Sequence, residues 1–301
     1  MRRMAICVAG AVLLAFTIPD SIHADQGVLT QGQGLRWARS AVTPFKTVAV
    51  ERSPGMYQGQ YRQMSFGRRE AALPDFNEYQ DVQAKKLDFF GFLLPLVDEE
   101  NERLLDLRTR LNNIYEYVRW DRVVGHEDRL WLHDVIEEFR IPETDIESEE
   151  FWKVALRRVD AVPDHLVLAQ AANESAWGTS RFAREGNNLF GQWCFRQGCG
   201  LVPNDRPEGE SYEVARFGSV SESIGSYMHN LNTGRTYKEL REIRAEARSQ
   251  GNEPDPTEMA AGLKSYSERG DDYILELRSM IRYNATVIEE ARNQLEDGAS
   301  S

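Results

Sequence analysis

Apolar residues recur at helical spacing along most of the chain. From Asp81 onward, Leu87, Phe90, Phe92-Leu93-Leu94, Leu96-Val97, Leu104-Leu105, Leu107, Leu111, Ile114 and Val118 recur at the spacing of a long helix, in which Pro95 allows a kink. Two more apolar helical stretches come next, around Leu130 to Phe139 and Phe151 to Val159. Between them Arg140-Ile141-Pro142-Glu143-Thr144-Asp145 is rich in turn and capping residues. Beyond it the pattern predicts a helix from Pro163 to Trp177, a short one near Ser180 to Arg184, and a hairpin-like stretch from Gly200 to Phe217. Ser219 with Glu222 has capping-box spacing, and Asp255-Pro256 places proline at a first helical position. A last helix is expected from Asp271 to Leu295, with a frayed tail at 296–301. The whole reads as α+β, mostly helical, with one small β-hairpin.

The N-terminal end differs. Arg2 and Arg3 precede an apolar run from Ala5 to Ile18, followed by Pro19-Asp20 and a small residue, Ala24, before a polar start. That order predicts a secretory signal peptide over 1–24, too short to span a bilayer, and hence an exported, periplasmic protein with no membrane span after cleavage. Residues 25–75 carry repeated glycines and no sustained period, which predicts an extended or partly disordered arm. A helical N-terminal region occupies 76–145.

Lys+Arg is 36 against Asp+Glu 48, a net charge of −12 over 301 residues, with no basic stripe. Duplex nucleic acid is therefore excluded as a partner. Cleavage at Ala24 leaves two cysteines, Cys194 and Cys199, spaced by a turn containing Gly198. In an oxidising compartment that pair predicts a local disulfide. The histidines are scattered without a ligand motif, so no metal or other cofactor is expected.

The chemistry concentrates between Leu166 and Ala183. The first half of this segment is an almost uncharged Leu, Val and Ala helix, and Glu174 arrives near its C-terminal end, just before Gly178, a natural residue for the left-handed cap. A carboxylate there is opposed by the helix dipole and by desolvation, so its pKa should rise, as a general acid near neutral pH requires. The competing roles are a surface residue or a helix-end ion pair with Arg181 or Arg184. Next comes Glu185-Gly186-Asn187-Asn188-Leu189-Phe190-Gly191-Gln192-Trp193. Amides from Asn187 and Asn188 and ring faces from Phe190 and Trp193 suit a sugar cleft; equally, the two rings could fill the core.

Gln170-x3-Glu174-Ser175-Ala176-Trp177-Gly178-x-Ser180 followed by Asn187-Asn188-Leu189-Phe190-Gly191 resembles the core motif of family 73 glycoside hydrolases. Leu73-Pro74-Asp75-Phe76, Lys85-Lys86-x2-Phe89-Phe90 and Tyr212-Glu213-Val214-Ala215-Arg216-Phe217 extend it toward the Bax subgroup, over residues 70 to 290. The resemblance implies a lysozyme-like domain at 146–295 that cuts peptidoglycan glycan strands as an endo-β-N-acetylglucosaminidase, with Glu174 as general acid. It also implies a second acid on the hairpin. Its first strand carries no glutamate, which leaves Asp205, then Glu208, as candidates. A cleft tyrosine is carried to Tyr266, where a core role competes. A lytic transglycosylase, or an inactive glycan-binding scaffold on the same fold, are the alternative functions. Protein partners are not indicated.

Overall fold

A computed structural model describes residues 72–143 and 145–299. The expected signal peptide and nearly all of the arm lie outside the described residues.

The long apolar run forms one helix, α1 (Val82–Arg119), that passes through Pro95 unbroken. Asp81 caps it by accepting hydrogen bonds from the Gln83 and Ala84 amides at 2.6 and 3.0 Å. The period then turns Phe89, Phe90, Leu93, Leu94, Val97, Leu104, Leu111 and Ile114 inward. α2 (His126–Glu138) and α3 (Glu149–Arg158) come next, α3 capped by Ser148. α4 (Asp164–Glu174) has no side-chain cap, and every residue from Leu166 to Ala172 is buried. Each fully buried Leu or Val there stabilises the fold by about 1.5–3 kcal/mol. α1 packs on α9 (Asp271–Ala299), on α4 and on α6 (Val220–Thr233), so the helical region before Asp145 shares one core with the helices beyond it.

Two polar devices set how these helices sit. The Asn101 amide of α1 donates to the Val162 carbonyl and accepts from the Val162 amide, both at 2.9 Å, fixing α1 beside the entry to α4. Asp160, 1% exposed, faces Arg108 of α1 and Arg244 and Arg248 of α7 (Lys238–Ser249) at 3.4–3.7 Å. Arg244, also 1% exposed, donates further bonds to the carbonyls of Arg157, Asp160 and Ala161 and to Asn232 Oδ1, so a buried charge is left with no idle donor face.

The expected hairpin is part of a three-stranded antiparallel sheet. β3 (Glu213–Ala215) is central and pairs with β1 (Trp193–Cys194) on one side and β2 (Gly200–Leu201) on the other. Trp193 lies opposite Val214 and Cys194 opposite Glu213, while Gly200 lies opposite Ala215. α5 (Arg181–Gly186), capped by Ser180, leads into this sheet, and α8 (Pro256–Met259) with a 3-10 segment (Ala260–Tyr266) leads into α9. Ser219 and Asp255 cap α6 and α8 as their spacing predicts. In the capping box, however, the Glu222 carboxylate accepts from the Gly218 amide. α9 continues to Ala299; its buried stripe ends at Ala291, and residues 296–299 are helical and exposed. The architecture is a mostly helical α+β fold of the lysozyme-like kind. Among the described residues no helix is long and apolar enough to cross a membrane.

Candidate active site

α4 ends on Glu174, three residues earlier than its apolar pattern predicts. Ser175 terminates it: the side-chain hydroxyl donates to the Ala171 carbonyl at 2.6 Å and accepts from the Gly178 amide at 2.7 Å. The Trp177 amide bonds the Ala172 carbonyl at 2.8 Å, the long-range bond of a left-handed helix terminus. The left-handed cap is therefore Ala176 (φ 53°), followed by Trp177 (φ 60°) and Gly178 (φ 75°), which corrects the role given to Gly178. Holding Ala176 and Trp177 in this region costs roughly 1–2 kcal/mol each. Packing holds them there. The Trp177 ring meets Phe89 and Phe90 edge-on at 5.5 and 5.4 Å and carries the Lys86 ammonium 5.1 Å from its centre.

This abrupt stop leaves the Glu174 carboxyl at the negative end of a buried helix. Burial raises its pKa above the ordinary glutamate value, and the nearby Glu276 carboxylate works in the same direction. Hydrogen bonds from Tyr273 and Asn173 and the charge of Arg269 act against that rise without cancelling it. Arg181 is occupied elsewhere, with the Val202 carbonyl at 2.7 Å and Glu185 at 3.9 Å. Among the described residues neither Arg181 nor Arg184 forms the helix-end ion pair weighed for Glu174.

The partners of Glu174 run through one oxygen. Tyr273 Oη donates to Oε1 at 2.9 Å, and Asn173 Nδ2 donates to the same atom at 3.3 Å. Behind Tyr273, Gln170 Nε2 donates to its phenol oxygen at 2.7 Å, and the Tyr227 hydroxyl donates to Gln170 Oε1. Gln170, Tyr227 and Tyr273 are buried. Burial, first of all, also raises the tyrosine pKa values of this group, so the hydroxyls stay protonated as donors.

The Asn-Asn loop is committed mainly to its own folding. Asn188 is buried, donates to the carbonyls of Gln192 and Ala215 at 2.9 Å, and accepts from the amides of Phe190 and Gln192 at 3.2 and 3.1 Å. Both donors and both lone pairs are used, so none remains for a sugar hydroxyl. Asn187 adopts a left-handed cap (φ 51°) on α5 and donates to the Phe217 carbonyl at 3.2 Å. Phe190 is buried and stacks on Tyr227 at 4.0 Å with 3° between planes. Phe190 and Asn188 are thus corrected from cleft to core. Trp193, 38% exposed, makes an edge-to-face contact with Tyr212 at 4.6 Å and keeps ring surface open to solvent.

A family model described as Mannosyl-glycoprotein endo-beta-N-acetylglucosaminidase matches residues 150–286, the span that holds both Glu174 and Tyr273. Protein bax of Escherichia coli (strain K12) is 31% identical over 220 residues, covering 73% of this chain and 77% of that protein. The chain belongs to the Bax-like family of glucosaminidase-domain proteins. No solved structure gives a significant match. The glucosaminidase-family domain supports a glycan-cleaving hydrolase in general.

Asp205 and Glu208 stand exposed on the loop joining β2 to β3. Tyr266 donates its hydroxyl to the Phe190 carbonyl at 2.6 Å and stacks on Tyr273 at 5.7 Å, so its bond supports the loop and not the acid. Tyr273 instead reaches Glu174. Sequence reading missed it and the role of Gln170, although Gln170 and Glu174 are four apart on one helix and share a face. Nothing local marks Tyr273, which lies 99 residues from its partner. Cys194 and Cys199 form a disulfide with Cα atoms 6.3 Å apart. The Glu213 carboxylate accepts from the Gly198 and Gly200 amides, at 3.0 and 2.8 Å, and these bonds hold its pKa below the usual value. Cys194, Cys199 and Glu213 are the group of potential metal ligands among the described residues. With the sulfurs bonded to each other and the carboxylate engaged by amides, they hold a loop.

Proposed function

We propose that the chain hydrolyses β-1,4 glycosidic bonds next to N-acetylglucosamine in peptidoglycan, with Glu174 as general acid. One observation carries this reading: a desolvated carboxyl at a helix C-terminus, anchored through Oε1, with pKa raised. Such a group keeps its proton to higher pH than an ordinary glutamate and can give it to the departing glycosidic oxygen. The rate should then fall as pH rises through the Glu174 pKa. Asp205 or Glu208 would take the proton of an attacking water from the opposite side. Direct inversion of this kind needs carboxyl groups about 6.5–9.5 Å apart, and the sugar's N-acetyl group can replace the second carboxylate where they are not. The open face of Trp193 supplies an apolar surface for a sugar ring. With net charge −12 the chain has no long-range attraction for an acidic glycan, so affinity comes from such contacts. The expected signal peptide supports an exported, periplasmic site of action.

The test is product analysis of purified peptidoglycan treated with the protein and with Glu174→Gln. Reducing N-acetylglucosamine ends, lost in the variant, are expected. Anhydromuramic ends would assign a lytic transglycosylase, and lysis unaffected by Glu174→Gln would remove Glu174 from the chemistry.

A further inference from the structure

We propose that Tyr227, Gln170 and Tyr273 form a directional chain of hydrogen bonds that keeps the acid hydrogen of Glu174 on Oε2, which makes Tyr273 a positioning residue for proton transfer. This inference rests on the reading of Glu174 as general acid and adds which of its two oxygens acts.

Direction comes from counting hydrogens. The Tyr227 hydroxyl is buried and has one partner among the described residues, Gln170 Oε1, to which it donates. That leaves the Gln170 amide nitrogen facing Tyr273, and a nitrogen can only donate. The Tyr273 oxygen is then an acceptor from behind, and its own hydrogen goes forward to Glu174 Oε1 at 2.9 Å. Turning the Gln170 amide over would leave the buried Tyr227 hydrogen without an acceptor and take the Tyr273 hydrogen away from Glu174. The observed orientation uses each hydrogen once.

Oε1 therefore receives two donors, from Tyr273 and Asn173, and has no room for a hydrogen of its own. Oε2 has no protein partner among the described residues, and no buried side-chain oxygen there lacks one, so Oε2 reaches solvent. The acid hydrogen sits on the oxygen that a substrate can approach. After transfer, the same two donors stabilise the carboxylate left behind. The groups facing Glu174 electrostatically are the carboxylate of Glu276, the guanidinium of Arg269 and the hydroxyls of Tyr227, Tyr237, Tyr266 and Tyr273. Arg269 and Glu276 pair with each other at 2.5 Å.

The experiment is a carboxyl carbon-13 NMR titration of the full chain labelled at glutamate, with Glu174→Gln assigning the resonance. Tyr273→Phe removes a donor to the charged form, so the Glu174 midpoint should move about one pH unit higher. Tyr266→Phe, which loses a bond to the Phe190 carbonyl only, should leave it in place. Gln170→Met frees the Tyr273 hydrogen to turn away and should raise the midpoint by less than Tyr273→Phe. In glycan hydrolysis Tyr273→Phe should lower kcat about tenfold at the optimum with KM unchanged, and its alkaline limb should shift upward. An unmoved or lowered midpoint in Tyr273→Phe overturns the proposal. If that variant does not fold, an unmoved midpoint in Gln170→Met does so. Hydrolysis that survives Glu174→Gln would instead defeat the general-acid reading, whatever the titration gives.

Discussion

Gly178→Ala tests whether the turn after Glu174 is held by close packing. An added Cβ would lie 2.6 Å from Phe76 Cδ2, 3.2 Å from Cε2 and 3.4 Å from Phe89 Cε2, on a residue at φ +75°. Phe76 cannot easily yield, being buried between Tyr79 and Phe89 at ring distances of 5.8 and 5.3 Å. The left-handed backbone costs alanine about 1–2 kcal/mol and overpacking about 1–3 kcal/mol, while the stiffer unfolded chain returns about 0.4–1 kcal/mol. A net loss of about 2–4 kcal/mol is expected. Gly191→Ala is the control: φ is +63°, and nothing lies within 4 Å of its added Cβ, so about 1 kcal/mol should be lost. Urea unfolding of both variants, followed by circular dichroism, measures the difference. Phe76→Leu should recover part of the Gly178→Ala loss, with a coupling of about 1 kcal/mol or more in a double-mutant cycle. Equal losses at Gly178 and Gly191, or no coupling to Phe76, would refute the steric account.

Asp164 offers a pH test. Burial opposes its ionised form, but bonds from His165 and the charge of Arg292 outweigh that and bring its pKa to about 2 from 3.8. The stabilisation, about 2 kcal/mol, is complete above the unfolded value and lost as pH falls from about 4 toward 2. Asp164→Asn should flatten the acid limb of stability measured by urea unfolding. His165 shifts upward, chiefly through its bond to Asp164, so its share is present below its ordinary value and fades as pH rises through the folded one. The loop residues should separate by assay: Asn188→Ala should cost about 3 kcal/mol of stability by stranding buried carbonyl and amide groups. Trp193→Ala should leave stability nearly unchanged and raise the KM for glycan about five- to tenfold. A glycan-binding defect in folded Asn188→Ala protein, or none in Trp193→Ala, would reverse these assignments.

Much of the architecture is local and so was legible before any coordinates. Helical period, the caps at Ser219 and Asp255, the short Cys194–Cys199 loop, and a carboxyl at the end of an apolar helix all depend on residues a few positions apart, where spacing determines contact. What tertiary structure alone decided is which far-apart groups meet. β3 sits between β1 and β2, Phe190 turns inward onto Tyr227, and Tyr273, not Tyr266, reaches Glu174. An aromatic ring at a loop or a tyrosine on a helix face has the same local pattern whether it meets substrate or core. Its role is set by the partner that packing brings across the chain, and a partner about a hundred residues away leaves no period to read.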